Sequence, residues 1–261
     1  MIKVEQHMNS RRLLSSLLLL FFVSLVNATA RPAVPEGVPR VVLQKRTMVL
    51  VRSGKFARDF PDRKRAIITY PVVVGPRNSE VLRKIRATFD FKNIFGSSLA
   101  EYRADTWLSE FGYEVNYNRD YILDITFTQE GVGAYPDGGY KHFAINLRNG
   151  ELIRAADAFD SGALEKLAAL VDEKLQAENQ ETVRDVGDED RASAEEMLKG
   201  LKFTTSNLDD FSVSDKGLTF LFDAGFPHAV QAFEPAGRYF FSYAELKPYI
   251  KRDGPLAVFV R

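Results

Sequence analysis

The chain has 261 residues, of which 45% are hydrophobic and 12% aromatic, enough to bury a sizeable core and far from the composition of a disordered chain. Basic and acidic residues number 35 each, so no cationic excess exists to hold a nucleic-acid backbone, and nucleic acid is not an expected partner. Cysteine is absent, which excludes disulfides, thiolate nucleophiles and Cys-based metal sites, and the only histidines are His7, His142 and His228.

Arg11 and Arg12 precede the apolar run Leu13 to Val26, and small residues stand at Ala28 and Ala30. That pattern predicts a signal peptide over residues 1–30, since the run is shorter than the roughly 20 residues of a spanning helix. An exported protein follows, with a bacterial periplasm as the expected compartment and no stable membrane span after cleavage. Without disulfides, the hydrophobic core alone must stabilise it. Charge is uneven along the chain, basic between Arg31 and Arg86 and acidic between Glu151 and Asp215.

Residues 31–40 hold three prolines and read as a leader. Val41 to Val51 and Ile67 to Val74 are rich in β-branched residues and predict strands, separated by a charged loop. Asn78 or Ser79 is placed to cap a helix reaching about Asp90, because Val81, Leu82, Ile85 and Phe89 recur at helical spacing. A second helix is expected over Ser98 to Phe111, burying Leu99, Tyr102, Trp107 and Leu108. From Gly112 the period changes to two: Tyr113, Val115 and Tyr117, then Tyr121, Leu123, Ile125 and Phe127, on either side of a turn at Arg119-Asp120.

A glycine-rich loop over Gly131 to Gly139 leads into the strand of His142 to Leu147. Asn149-Gly150 suits a two-residue hairpin turn, since both residues tolerate positive φ. Leu164, Leu167, Val171 and Leu175 form the apolar stripe of a helix over Ser161 to Glu178. An acidic linker and a shorter helix capped by Ser193 and Glu196 follow, with Gly200 to end it. Phe211 and Val213, then Leu218, Phe220 and Phe222, flank a turn at Asp215 to Gly217. Arg238 to Ser242 adds a strand and Tyr243 to Tyr249 a helical turn. The order predicts an α+β fold, a mostly antiparallel sheet with helices packed on one face in two layers.

Several of these segments are similar to the C-terminal domain shared by PdaC and RsiV. They are Tyr121 to Ile125, Ala134-Tyr135-Pro136, Asn146 to Leu152, Ala156 to Phe159, Asp210 to Phe222 and Phe241 to Tyr249. Ile67 to Pro71 followed by a helix resembles the smaller domain that precedes it in that family. The resemblance divides the chain into a signal peptide at 1–30, a small N-terminal α/β domain with its leader at 31–111, and the PdaC/RsiV-like domain at 112–261. It implies an extracytoplasmic module. In PdaC the domain accompanies a polysaccharide deacetylase, and in RsiV it is the outward-facing, lysozyme-binding part of an anti-sigma factor. The family loop commonly reads Ala-His-Pro, where this chain has Tyr135 in the middle.

Candidate ligand-binding residues follow from chemistry and placement. His142 and Asn146 lie in phase on the polar side of their strand, sharing a face with Asp124, Thr126 and Asn116, as suits hydrogen bonding to a glycan or peptide. Tyr135 and Asp137 sit in the glycine-rich loop, an aromatic and an acid available to a partner. His228 follows Phe226-Pro227 near Tyr243 and Glu245 in sequence. No G-x-S-x-G elbow, dinucleotide fingerprint or P-loop occurs, so no catalytic set, metal or cofactor is expected. The expected function is an exported non-catalytic binding or sensing module for a cell-wall component, such as a peptidoglycan fragment, or a lysozyme-like protein. The alternative is a cell-wall glycan hydrolase or deacetylase-associated enzyme using acidic residues and His.

Overall fold

The computed structural model describes residues 37–261, apart from 105, 106 and 134. The expected signal peptide, most of the leader, and Ala134 of the glycine-rich loop lie outside the described residues. Strands β1 (Val42–Val51) and β2 (Arg65–Val74) flank a short helix α1 (Lys55–Asp59). They pair antiparallel along their whole length, from Val42 opposite Val74 to Val51 opposite Arg65. Three helices follow: α2 (Glu80–Thr88), α3 (Phe91–Phe95) and α4 (Leu99–Ala104). Ser79 caps α2 as expected, its side chain accepting from Leu82 N–H at 3.4 Å.

The meander β3 (Leu108–Arg119), β4 (Ile122–Val132), β5 (Pro136–Asn146) and β6 (Glu151–Leu152) completes a six-stranded sheet in sequential order. All its pairings are antiparallel except the short parallel contact of β2 with β3. Beyond it come α5 (Ala155–Ala158), the long α6 (Leu164–Asp185) and α7 (Asp188–Leu198). A second sheet holds β7 (Phe211–Val213), β8 (Gly217–Leu221) and β9 (Arg238–Ser242), and α8 (Tyr243–Leu246) follows. None of the described helices is long and apolar enough to cross a membrane.

The fold is α+β and mostly antiparallel, as expected, but its strands form two sheets. Alternation along β4 explains how both are covered. Leu123, Ile125 and Phe127 face a core shared with Val81, Leu82 and Ile85 of α2 and with Phe111 of β3. Ile122 belongs instead to a second core, built by Leu167, Val171 and Leu175 of α6 around Phe211, Phe220 and Phe241. Strand β3 runs unbroken through 111 and 112, where the resemblance divides the chain, and the first core draws side chains from both sides of that point.

Four local expectations are corrected. The helix expected to reach Phe111 ends at Ala104, because Leu108 and Phe111 join the period-two pattern of Tyr113 and find β4 as a partner. The hairpin turn lies at Asp120-Tyr121 rather than Arg119-Asp120: both residues have positive φ, 54° and 63°, while Arg119 pairs with Ile122. The Asn149-Gly150 connection belongs to a four-residue loop in which only Gly150 has positive φ, and a Cβ there would lie 2.7 Å from Val81 O. The acidic linker is helical: α6 runs on to Asp185, and α7 begins at Asp188 with three acids in its first turn, where the helix dipole favours them. In addition, pairing of Val132 with Pro136 turns most of the expected glycine-rich loop into strand.

The junction between β1, α4 and β3 rests on Arg52, which is 2% exposed. Its guanidinium donates to the carbonyls of Leu108 at 2.6 Å, Arg63 at 2.7 Å and Tyr102 at 3.3 Å. Removing it leaves buried carbonyls without a donor, a loss of about 3 kcal/mol. Arg52→Met is therefore expected to lower the urea midpoint clearly and Arg52→Lys to lower it less. An unchanged midpoint in Arg52→Met would contradict this role.

Candidate functional site

The side of β4 and β5 that carries the expected polar residues is a seam between the two sheets. Thr126 stands opposite His142 in the register and Asp124 opposite Ala144. Asp124 is fully buried and His142 is 9% exposed, because β7 packs across this face. The polar face expected to lie open to a ligand is thus covered, by a strand nearly ninety residues further along the chain.

A continuous chain of hydrogen bonds runs through the seam. Val213 N–H of β7 donates to Asp124 Oδ2 at 2.9 Å, and Ser212 Oγ donates to Oδ1 at 3.0 Å. Asn116 Nδ2 of β3 donates to Asp124 Oδ1 at 2.6 Å and to Thr126 Oγ1 at 2.8 Å. Thr126 Oγ1 lies 2.9 Å from His142 Nδ1. The threonine oxygen can accept a second hydrogen bond beside that from Asn116 or donate its own proton, so the contact fits a ring protonated at Nδ1 or at Nε2. His142 Nε2 is buried and has no partner among the described residues.

Burial pushes the Asp124 carboxyl up to about 6, against the lowering effect of its donors Asn116, Val213 and Ser212. Burial, followed by the charge of Arg238, pushes His142 down to about 4. At neutral pH the seam therefore holds one carboxylate and one neutral imidazole. Asp124 has a pKa suited to proton transfer, but its full burial leaves no reacting group able to reach it.

Beside the seam, two adjoining cavities follow the outer edge of β5. One of about 480 Å³ lies between Lys141, His142 and Arg154 on one wall and Asn207, Asp210 and Asp223 on the other. The second, of about 630 Å³, is bounded by Gly138, Gly139 and Tyr140 and, opposite, by Asp223, Phe226 and Glu234. Phe222 and Asp223 line both, so the two make one groove along the strand.

The expected ligand residues are only partly gathered. Tyr135, 64% exposed, meets His228 with ring centroids 4.9 Å apart, linking the β4–β5 hairpin tip to the short helical turn His228–Phe233. Asp137 accepts from Gly138 N–H at 2.7 Å. His142 borders the first cavity, but its ring is engaged in the seam. Asn146 accepts from Arg148 N–H at 3.0 Å and borders a different hollow, with Lys251 and Asp253. Sequence reasoning missed Asp210, Asp223 and Tyr140, which line the groove, and Ser212, which closes the seam. The available signal was Asp124, an acid between two core residues of a strand. Among the described residues no group of His, Asp and Glu is arranged to hold a metal ion.

The two shifted groups act oppositely on stability. Asp124 binds its proton more tightly folded than unfolded, so its contribution falls as pH rises from about 4 to 6, by about 3 kcal/mol. His142 binds its proton less tightly when folded, so its contribution rises between about 4 and 6.5, by about the same amount. In the wild type the two slopes offset one another. Urea unfolding from pH 4 to 7 is expected to show the deficit of Asp124→Asn, relative to wild type, shrinking with pH. The deficit of His142→Gln should widen. Parallel curves for all three proteins would contradict the burial of these two groups.

No family model and no curated protein matches the sequence. Solved structures do. A DUF3298 family member from Bacteroides fragilis is similar with a TM-score of 0.53 at 14% identity, over 87% of this chain and 99% of that one. A DUF3298 family protein from Pseudomonas aeruginosa is similar with a TM-score of 0.50 at 11% identity, over 82% of this chain and 96% of that one. At such identities the likeness is one of fold: the chain has the fold seen in DUF3298 proteins, the family of PdaC/RsiV-like domains.

Proposed function

We propose that this chain is an exported binding or sensing module, without a reaction of its own, that recognises a cell-wall component or a lysozyme-like protein in the bacterial periplasm. The observation that carries this reading is the groove along β5. It is long, open, lined by polar groups and by the rings of Tyr140, Phe222 and Phe226, and built on two sheets fixed by a buried polar seam. Aromatic rings beside carboxylates and amides suit a sugar ring or a protein surface equally. Among the described residues, neither His142 nor His228 has an acidic hydrogen-bond partner of the kind that orients a general base. The signal-like segment and the sequence resemblance support the choice of compartment.

Calorimetric titration of the purified protein with soluble peptidoglycan fragments and with lysozyme tests the reading. Binding of at least one in the micromolar range is expected. Phe226→Ala, which removes a ring from the groove wall, should weaken it by about tenfold, the equivalent of about 1.4 kcal/mol. Absence of binding to both at high micromolar concentration would overturn the proposal.

A further inference from the structure

One edge of the large sheet runs through the groove. Strand β6 pairs only with Ile145 and Asn146 of β5, and Ile153 N–H donates to Ala144 O at 2.7 Å. The backbone of Ala144 therefore points away from β4, and by the two-residue alternation of a strand so do those of His142, Tyr140 and Gly138. Gly138 N–H is taken by the Asp137 side chain. The outward N–H and C=O groups of Tyr140 and His142 have no hydrogen-bond partner among the described residues, and both residues border the cavities. They recur at roughly 7 Å, two residues of strand rise, which is the repeat of another extended polypeptide and not of a sugar chain.

Carboxylates outnumber cations around the groove. Glu130, Asp210, Asp223 and Glu234 border the groove, and none of them forms an ion pair among the described residues. Of the cations there, Arg154 lies 3.7 Å from Asp209, and the charge of Lys141 acts on Asp210. Burial first, then Asp223 and Asp210, holds the Tyr140 hydroxyl above its ordinary value, against the opposing charge of Arg238.

We infer that the free edge of β5 takes up an extended segment of a partner polypeptide carrying basic side chains, which adds a strand to the six-stranded sheet while its cations meet the carboxylates of the opposite wall. This rests on the reading of the groove as a binding surface and names the chemistry of the partner. Main-chain hydrogen bonds supply affinity, and the alternate side chains, directed at Asp210 and Asp223, supply selection.

The full chain is titrated with octapeptides in which Lys alternates with Gly, Ser, Thr or Val, with the same peptides carrying Gln for Lys, and with versions N-methylated at every second residue. Tyr140→Ala removes the ring and keeps the edge; Tyr140→Pro also removes an outward N–H, a change that edge strands tolerate. At least one Lys peptide should bind wild type, slow exchange of the Tyr140 and His142 amides by tenfold or more, and lose affinity as salt rises. Tyr140→Pro should bind at least tenfold more weakly than Tyr140→Ala. If Tyr140→Pro fails to fold, N-methylation carries the same test on wild type. Equal binding by N-methylated or Gln peptides overturns the inference. Binding of peptidoglycan fragments or lysozyme without any peptide also overturns it, leaving the broader reading intact. Edge-dependent peptide binding with neither of those ligands bound supports it and overturns the broader reading.

Discussion

One buried carboxylate ties the two sheets by hydrogen bonds, beside the apolar core they share. Asp124 is fully buried in a strand of the larger sheet, yet it accepts hydrogen bonds from the backbone and side chain of β7 in the smaller one and from Asn116 of its own. Hydrogen bonds to a charged acceptor are stronger than neutral ones, and a buried carboxylate deprived of them would carry a large desolvation cost. The second sheet is thereby locked in place and register over β3–β5. A further tie, the ion pair of Arg119 with Asp215, joins the β3–β4 hairpin to the β7–β8 turn at the surface. Because β7 and β8 lead into Asp210 and Asp223, fixing them also fixes the far wall of the groove.

Most of the elements were legible because their cause is local. The β-branched runs of β1 and β2, the Ser79 cap, the apolar stripe of α6 and the alternation through β4 depend on neighbours a few residues away. The errors arose where a distant partner decided the outcome. Leu108 and Phe111 are spaced as a helix face, but strand pairing with β4 claims them. Asn149-Gly150 reads as a two-residue turn until the approach of Val81 limits what the loop may do.

The site divides along the same line. That Asn116, Asp124, Thr126 and His142 share one face follows from the period of two, and they do form one hydrogen-bonded chain. What covers that face does not follow, since nothing near β4 in sequence announces β7. Of the candidates chosen for exposure and chemistry, Tyr135 and His228 meet each other, while Asn146 serves a turn. The groove residues Tyr140, Asp210 and Asp223 look like ordinary surface positions until the two sheets are placed face to face.

The account depends on the burial of Asp124 and His142 in the seam, and heteronuclear NMR of the intact protein addresses this directly. The Asp124 carboxyl carbon is expected to titrate near pH 6 and the His142 ring near pH 4. Titration of both at the ordinary values for Asp and His would show a solvated face and contradict the structure's central constraint.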